Sequence, residues 1–160
     1  MILRTVNRWI EKLRKDEGGR EAHQQEFIQK LQRNYNDEKI LALELEAEAQ
    51  LLPYDHLKQE VLEIARKEHE HAQKIAQLIR ELGGEVDTRI ESSYQAKPDG
   101  EFTQLLRVEK ELGERLMEEA NWAEDYGFLH HARVLRELDA EHHMNMENIE
   151  RVIMRVNAIV

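Results

Sequence analysis

Glu68 and His71 stand three residues apart in the run Arg66-Lys67-Glu68-His69-Glu70-His71-Ala72. On a helix that spacing leans both side chains over one turn. The apolar residues around them, Leu57, Val61, Ile64, Ile75, Leu78 and Leu82, step by fours and threes, and Glu68 and His71 fill the two places between. This is the period of a buried helix seam. A carboxylate and an imidazole therefore occupy positions where Leu or Ile belongs. Burying a carboxylate is costly unless its charge is compensated. A metal ion compensates it, and Glu with His at this spacing is a ligand pair of helix-bundle metal sites.

The pattern occurs twice. At an offset of 71 residues, Leu31 matches Phe102, Glu38 matches Glu109, Leu41 and Leu45 match Leu112 and Leu116, Leu57 and Val61 match Phe128 and Ala132, and Ile64 matches Leu135. Glu68 and His71 then match Asp139 and His142, and Ile75, Leu78 and Leu82 match Met146, Ile149 and Ile153, without a gap. One helical hairpin has been written twice. The repeat also selects the acid on the first helix of each pair. In an antiparallel hairpin, residues at one height are equidistant from the turn. Glu38 and Glu68 centre on Pro53, whereas Glu44 and Glu68 centre inside the second helix. Glu109 and Asp139 centre within a turn of Gly127. Glu38, Glu68, His71, Glu109, Asp139 and His142 thus fall at one level.

The elements that must position these six are long helices. The seam Phe27, Leu31, Asn34, Glu38, Leu41, Leu45, Leu52 predicts a helix over 21–52, ended by Pro53. With Asp55 as N-cap, a second runs over 55–82 and stops at Gly83-Gly84. Residues 85–100 read as a connection, a third helix spans 101–126, and after Gly127 a fourth spans 128–157. Helices of ~27 residues are ~40 Å long. A link of about 18 residues reaches ~60 Å when extended, so it can run the length of the bundle and pair two hairpins. Ahead of them, residues 1–15 form an amphipathic helix candidate with Ile2, Val6, Trp9, Ile10 and Leu13 on one side and Arg4, Arg8, Lys12, Arg14 and Lys15 as its charge. Asp16-Glu17-Gly18-Gly19 reads as a hinge. The sequence divides into an N-terminal helix and hinge over 1–19 and a bundle over 20–160. The first piece suits docking on the bundle, on a partner or sister subunit, or on a membrane surface.

The totals bound the function. One domain is the expectation for 160 residues. Charged residues at 35%, aromatics at 6%, 7 Gly and 2 Pro describe long helices with solvated faces. A net charge of −10 argues against nucleic-acid binding. With no Cys, disulfides, thiolate metal sites and a rubredoxin-type iron centre are excluded, in keeping with a cytoplasmic protein. No apolar run is long enough to span a membrane, and the N-terminus lacks the apolar region of a signal peptide.

Four carboxylates balance two divalent ions, and two neutral imidazoles complete the set. Such oxygen and nitrogen donors suit Fe(II), Mn(II) or Zn(II) and not Cu(I). Two redox metals bridged by carboxylates can pass electrons pairwise to O2 or peroxide. The paired Glu and Glu-x-x-His elements resemble the ferritin-like superfamily of di-iron carboxylate proteins, bacterioferritins and rubrerythrins among them. The resemblance covers residues 27–155 and includes Glu68-His69-Glu70-His71-Ala72 followed by Leu82-Gly83-Gly84. It implies an all-α, ferritin-like antiparallel four-helix bundle of two hairpins joined by a long crossover. It further implies Glu38 and Glu109 as terminal ligands, Glu68 and Asp139 as bridges, His71 and His142 as imidazole ligands, and two iron ions (Mn or Zn as substitutes) as the cofactor. Asp139 stands where the family has Glu, roughly 1.5 Å shorter in reach. Leu45 and Leu116 replace a frequent Tyr, Leu41 and Leu112 replace an extra Glu of some rubrerythrins, and His69 falls where bacterioferritins ligate haem through Met. Glu48 and Glu119 also repeat; they read as solvated flanks, with an ion path as the alternative. His130, His131 and His143 read as surface residues, and Trp9, Trp122 and Tyr126 as packing or interface groups.

The implied function is a dinuclear oxidoreductase, ferroxidase-like or peroxidase-like, taking Fe(II) with O2 or H2O2 and assembled as a homodimer or small homo-oligomer. Iron storage is the alternative. A bundle with a degenerate site, serving an interaction through its N-terminal helix, is the third reading.

Overall fold

The computed structural model describes residues 2–159, with side chains for 5–10 and 19–158. The described chain is all-helical: α1 (Ile2–Gln50), α2 (Asp55–Glu81), the short α3 (Ile90–Ser93), α4 (Phe102–Asp125) and α5 (Leu129–Ile159). The four long helices touch in a ring, α1 on α2, α2 on α5, α5 on α4 and α4 on α1. Every neighbouring pair is antiparallel. Side-chain contacts from α1 to α2 and its C-terminus run from Gln24–Leu82 to Lys39–His69. Between α2 and α5 they run from Glu60–Arg155 to Leu78–His131. None of the described helices is long and apolar enough to cross a membrane.

The turns follow from local chemistry. α2 ends with Gly83 N–H on the Arg80 carbonyl at 2.9 Å and Gly84 N–H on the Ile79 carbonyl at 3.0 Å. α4 ends with Gly127 on Glu124 at 3.0 Å and Phe128 on Ala123 at 2.8 Å. These paired bonds satisfy the last carbonyls and require a left-handed residue, which Gly83 (φ 79°) and Gly127 (φ 83°) supply. At the start of α2, Tyr54 rather than Asp55 is the N-cap, and Asp55 is the acid of the first turn, where the helix dipole favours it.

α1 differs from the expected helix, hinge and second helix. It is unbroken through 16–19. Two glycines cost a helix interior about 1 kcal/mol each, a penalty that the continuous turns on either side can carry. Of the N-terminal apolar stripe, Val6, Trp9 and Ile10 are exposed, Trp9 at 66%; the side chains of Ile2 and Leu13 lie outside the described residues.

The connection from α2 to α4 is fastened along α1. Gln32 and the Asp87 backbone exchange two hydrogen bonds, at 2.9 and 2.8 Å. Tyr35 donates to Glu91 at 2.6 Å, and Tyr94 donates to Glu44. The Glu48 carboxylate accepts from Asp99 N–H at 2.8 Å and Gly100 N–H at 2.9 Å. Glu48, buried at 2% exposure, is thus neither a solvated flank nor part of an ion path, but the anchor of the connection's end.

Two apolar cores fill the ring at different heights. One contains Phe27, Leu31, Ile75, Ile79, Leu116, Phe128 and Leu135, and the other Leu41, Leu45, Leu57, Ile64, Phe102, Leu105 and Ile149. Phe27 lies 5.4 Å from Trp122, 5.2 Å from Phe128 and 5.6 Å from His131, ring centre to ring centre. His131 belongs to this buried packing rather than to the surface. Truncating the ring leaves a cavity among aromatics contributed by two helices and a turn. Phe27→Ala should lower stability by about 3–5 kcal/mol in urea denaturation.

Candidate metal centre

Each long helix carries part of the polar level between the two cores. α1 supplies Glu38, α2 supplies Glu68 and His71, α4 supplies Glu109, and α5 supplies His142 and Asp139. Glu38, Glu68 and Glu109 are 0% exposed, His142 1% and His71 2%. Glu38, Glu68, His71 and His142 each offer a donor atom within 4.8 Å of the others, a buried group that could hold a metal ion.

His142 sits at the centre. Its Nε2 contacts Glu38 Oε1 and lies 3.8 Å from Glu68 Oε2, while Nδ1 contacts Glu109 Oε1. The His71 ring is 4.9 Å from the His142 ring, and its Nδ1 is 3.4 Å from Glu68 Oε2. Asp139 stands apart. It is outside the group, and its Oδ1 points toward His143 Nε2 at 3.7 Å. His143 itself is exposed. The structure thus gathers four of the six predicted residues, sets Glu109 against His142, and leaves Asp139 at the edge.

Among the described residues, six buried side-chain atoms have no hydrogen-bond partner: Glu38 Oε2, Glu68 Oε2, His71 Nδ1, both oxygens of Glu109 and His142 Nδ1. All belong to five of the six predicted residues. Glu109 Oε1 and His142 Nδ1 touch without the alignment of a hydrogen bond. Orphaned buried polar atoms are rare and costly. Here they gather at one level, and carboxylate oxygens with imidazole nitrogens are a donor set that fits a divalent transition ion.

Two residues that seam periodicity did not single out brace the group. Glu141 Oε2 lies 2.6 Å from His71 Nε2, so Nε2 carries the proton and Nδ1 faces inward with its lone pair free. Asn145, 1% exposed, donates to Glu68 Oε1 at 2.6 Å. Asn145 is in phase with His142 one turn earlier, so a buried polar residue at that step was the available signal. Glu141 gave none, because its partner lies on another helix. At the neighbouring level, Asn34 bridges α1 to Glu119 and Arg115 of α4, and Arg115 also pairs with Asp37. Glu119 is buried in this bridge rather than solvated. His69 has both ring nitrogens engaged, Nδ1 with Lys39 at 3.2 Å and Nε2 with Glu46 at 2.5 Å.

Burial, and then the charge of Glu68, push the carboxyl pKa values of Glu38 and Glu109 well above the ordinary carboxylate range. For Glu68, burial works against ionisation. The neighbouring Glu38 carboxyl and the charge on His142 outweigh it, and its pKa is lowered. Burial likewise opposes a charged His142, but Glu68 and Glu109 overcome this and raise its pKa. Protons thus stand where cations would, and a divalent ion must displace them. Cation uptake should release protons, and affinity should rise with pH by about tenfold per unit for each proton displaced. Zn(II) calorimetry in buffers of different ionisation enthalpy measures that release; zero release would contradict the assignment.

Glu119 supplies a second test, of the α1–α4 bridge. Burial raises its pKa from 4.5 to about 7. Between those values the folded chain holds a proton that the unfolded chain has lost. This contribution is intact below the unfolded pKa and is lost as pH rises through the folded one. Glu119→Gln should therefore gain stability relative to wild type as pH rises from about 5 to about 8, by roughly 3 kcal/mol at most, in paired denaturation curves.

No family model matches the chain, and no curated protein matches it.

Proposed function

We propose that this chain is a ferritin-like four-helix bundle whose polar level binds two divalent metal ions, iron in the native state, and that it acts as a ferroxidase-like or peroxidase-like oxidoreductase on Fe(II) with O2 or H2O2. The observation that carries the reading is the convergence of orphaned donor atoms on Glu38, Glu68, His71, Glu109 and His142 between two apolar cores. These five residues, with Asp139 as the sixth, would hold the ions. A bound iron pair supplies two-electron chemistry toward O2 or peroxide. The chain's own residues prepare the place. Glu141 holds His71 with Nδ1 inward, and Asn145 orients Glu68. Glu38 and Glu109 keep protons until cations displace them. The cores above and below exclude water, which strengthens every charge interaction at the level. A small homo-oligomer remains the proposed assembly.

Asp139 favours a second reading. With its carboxylate outside the gathered group, the level suits a single ion in a binding or interaction protein rather than a pair. Metal counting separates the two. Elemental analysis should find two metals per chain in the wild type and a loss in both Glu68→Ala and His142→Ala. Anaerobic Fe(II) followed by air should give a ferric absorption band only in the wild type. One metal per chain would select the second reading, and equal metal in all three proteins would refute both.

A further inference from the structure

The two halves of the duplicated hairpin differ where they flank the polar level. Ala42 of α1 corresponds to Gly113 of α4, and Glu68 of α2 corresponds to Asp139 of α5. In the first half both residues are closed off, Ala42 and Glu68 each at 0% exposure. In the second half both side chains are shorter. Glycine is among the least favourable residues for a helix interior, yet Gly113 sits near the middle of α4. A Cβ there would stand 3.1 Å from Asp139 Oδ1 and 3.6 Å from His142 Cβ. The missing methyl gives the Asp139 carboxylate its room at the edge.

A groove of about 440 Å³ opens at this place between α4 and α5. Its lining includes Gly113, Asp139 and His142, whose Cβ faces Gly113 and whose imidazole lies inward against Glu38 and Glu109. The groove therefore reaches from solvent to a residue of the centre. Its mouth carries Glu114, Glu118, Asp139 and His143 against one cation, Lys110, which is 4.0 Å from Glu114. A second groove, between α2 and α5, sets Lys67, Arg151 and Arg155 against Glu60 and Glu63, leaving it cationic, and has the buried Ile64 in its lining. Charge thus favours one groove for a cation and disfavours the other.

We propose that the α4–α5 groove is the entrance by which divalent cations reach the polar level, with Asp139 as the first carboxylate they meet and the Gly113 gap as the passage to His142. The proposal rests on the metal-binding reading above and deepens it by assigning a path and a substrate class, a hydrated divalent cation. It also gives a reason for Asp at 139. A shorter carboxylate held at the edge receives an ion from water, where a longer one would close the gap.

The test is stopped-flow uptake of Co(II) by the metal-free full-length chain, followed by the visible band of the bound ion, with stoichiometry measured at equilibrium. Gly113→Ala narrows the passage and improves helix propensity, so it should fold. Met117→Trp roofs the groove from an exposed position in its lining, and Met154→Trp, exposed elsewhere, is the control. Uptake should slow by about tenfold in the first two, the effect of roughly 1.4 kcal/mol on the barrier, with stoichiometry kept and the control unchanged. Wild-type rates in both groove variants would overturn the entrance. Slow uptake in Gly113→Ala alone would also overturn it, because the effect would then lie in the placement of Asp139. Loss of stoichiometry in both would make the groove part of the ligand shell and not a path. A wild type that binds no Co(II) would overturn the metal reading itself, and the entrance with it, a result distinct from the others.

Discussion

Carboxylates withdrawn from water at a single height, with apolar side chains above and below, set the terms for the rest of this molecule. Three of them, Glu38, Glu68 and Glu109, are wholly buried. Leaving one such charge unpaired costs several kcal/mol, so the level must be neutralised from within. His142 is placed to do so, touching Glu38 and Glu109 and lying near Glu68. One imidazolium cannot balance three anions. Burial and the charge of Glu68 raise the pKa of Glu38 and of Glu109, while that of Glu68, the acid bonded by Asn145 and flanked by both histidines, is lowered. The three acids and His142 titrate as one unit. Their shared deficit of positive charge is what makes the level receptive to cations.

That deficit explains the bracing around it. A residue that must present a lone pair inward needs its other polar atom satisfied outward, and Glu141 does this for His71. Glu68, the carboxylate drawn on by most neighbours, has its second oxygen fixed by Asn145. Both braces come from α5, and neither interaction is repeated in the other half. Position 141 corresponds to Glu70 and 145 to Lys74, and these pair instead with Arg66 and with Glu141. The duplicated hairpins have thus become unequal partners, one supplying a closed wall and the other the supports and the opening.

Much of this was legible in the sequence because helical seams leave a plain signature. Few glycines and prolines and an unbroken four-and-three step indicate helices, and the described residues form helices without a strand. The same step placed Glu38, Glu68, His71 and His142 on inward faces at one height, where the structure gathers them. Seam phase gives a side and a height but not the direction a side chain takes from its backbone. Asp139 shares the phase of Glu68 and still turns to the edge, because its reach is shorter and Gly113 leaves space there. Glu48 and Glu119 lie at the seam's margin, where phase cannot tell water from a covering segment. Glu48 meets backbone N–H groups of the connection, which no periodicity announces. The Gly18-Gly19 pair suggested a hinge on propensity alone, and propensity is a weak guide inside a long helix.

The connection between the hairpins has a bearing on how the molecule comes together. Each hairpin closes over a short turn, so its contacts are local and its formation is fast. Pairing the two is the long-range step. Residues 87–100 lie against α1 at four successive points, from Gln32 to Glu48. The link is therefore a guide rail as well as a tether. It holds the second hairpin at an effective concentration of about millimolar beside the first, and its contacts with α1 fix the register of the folded chain. Two separate hairpins would meet as a dilution-sensitive dimer; on one chain, their encounter no longer depends on how much protein the cell makes.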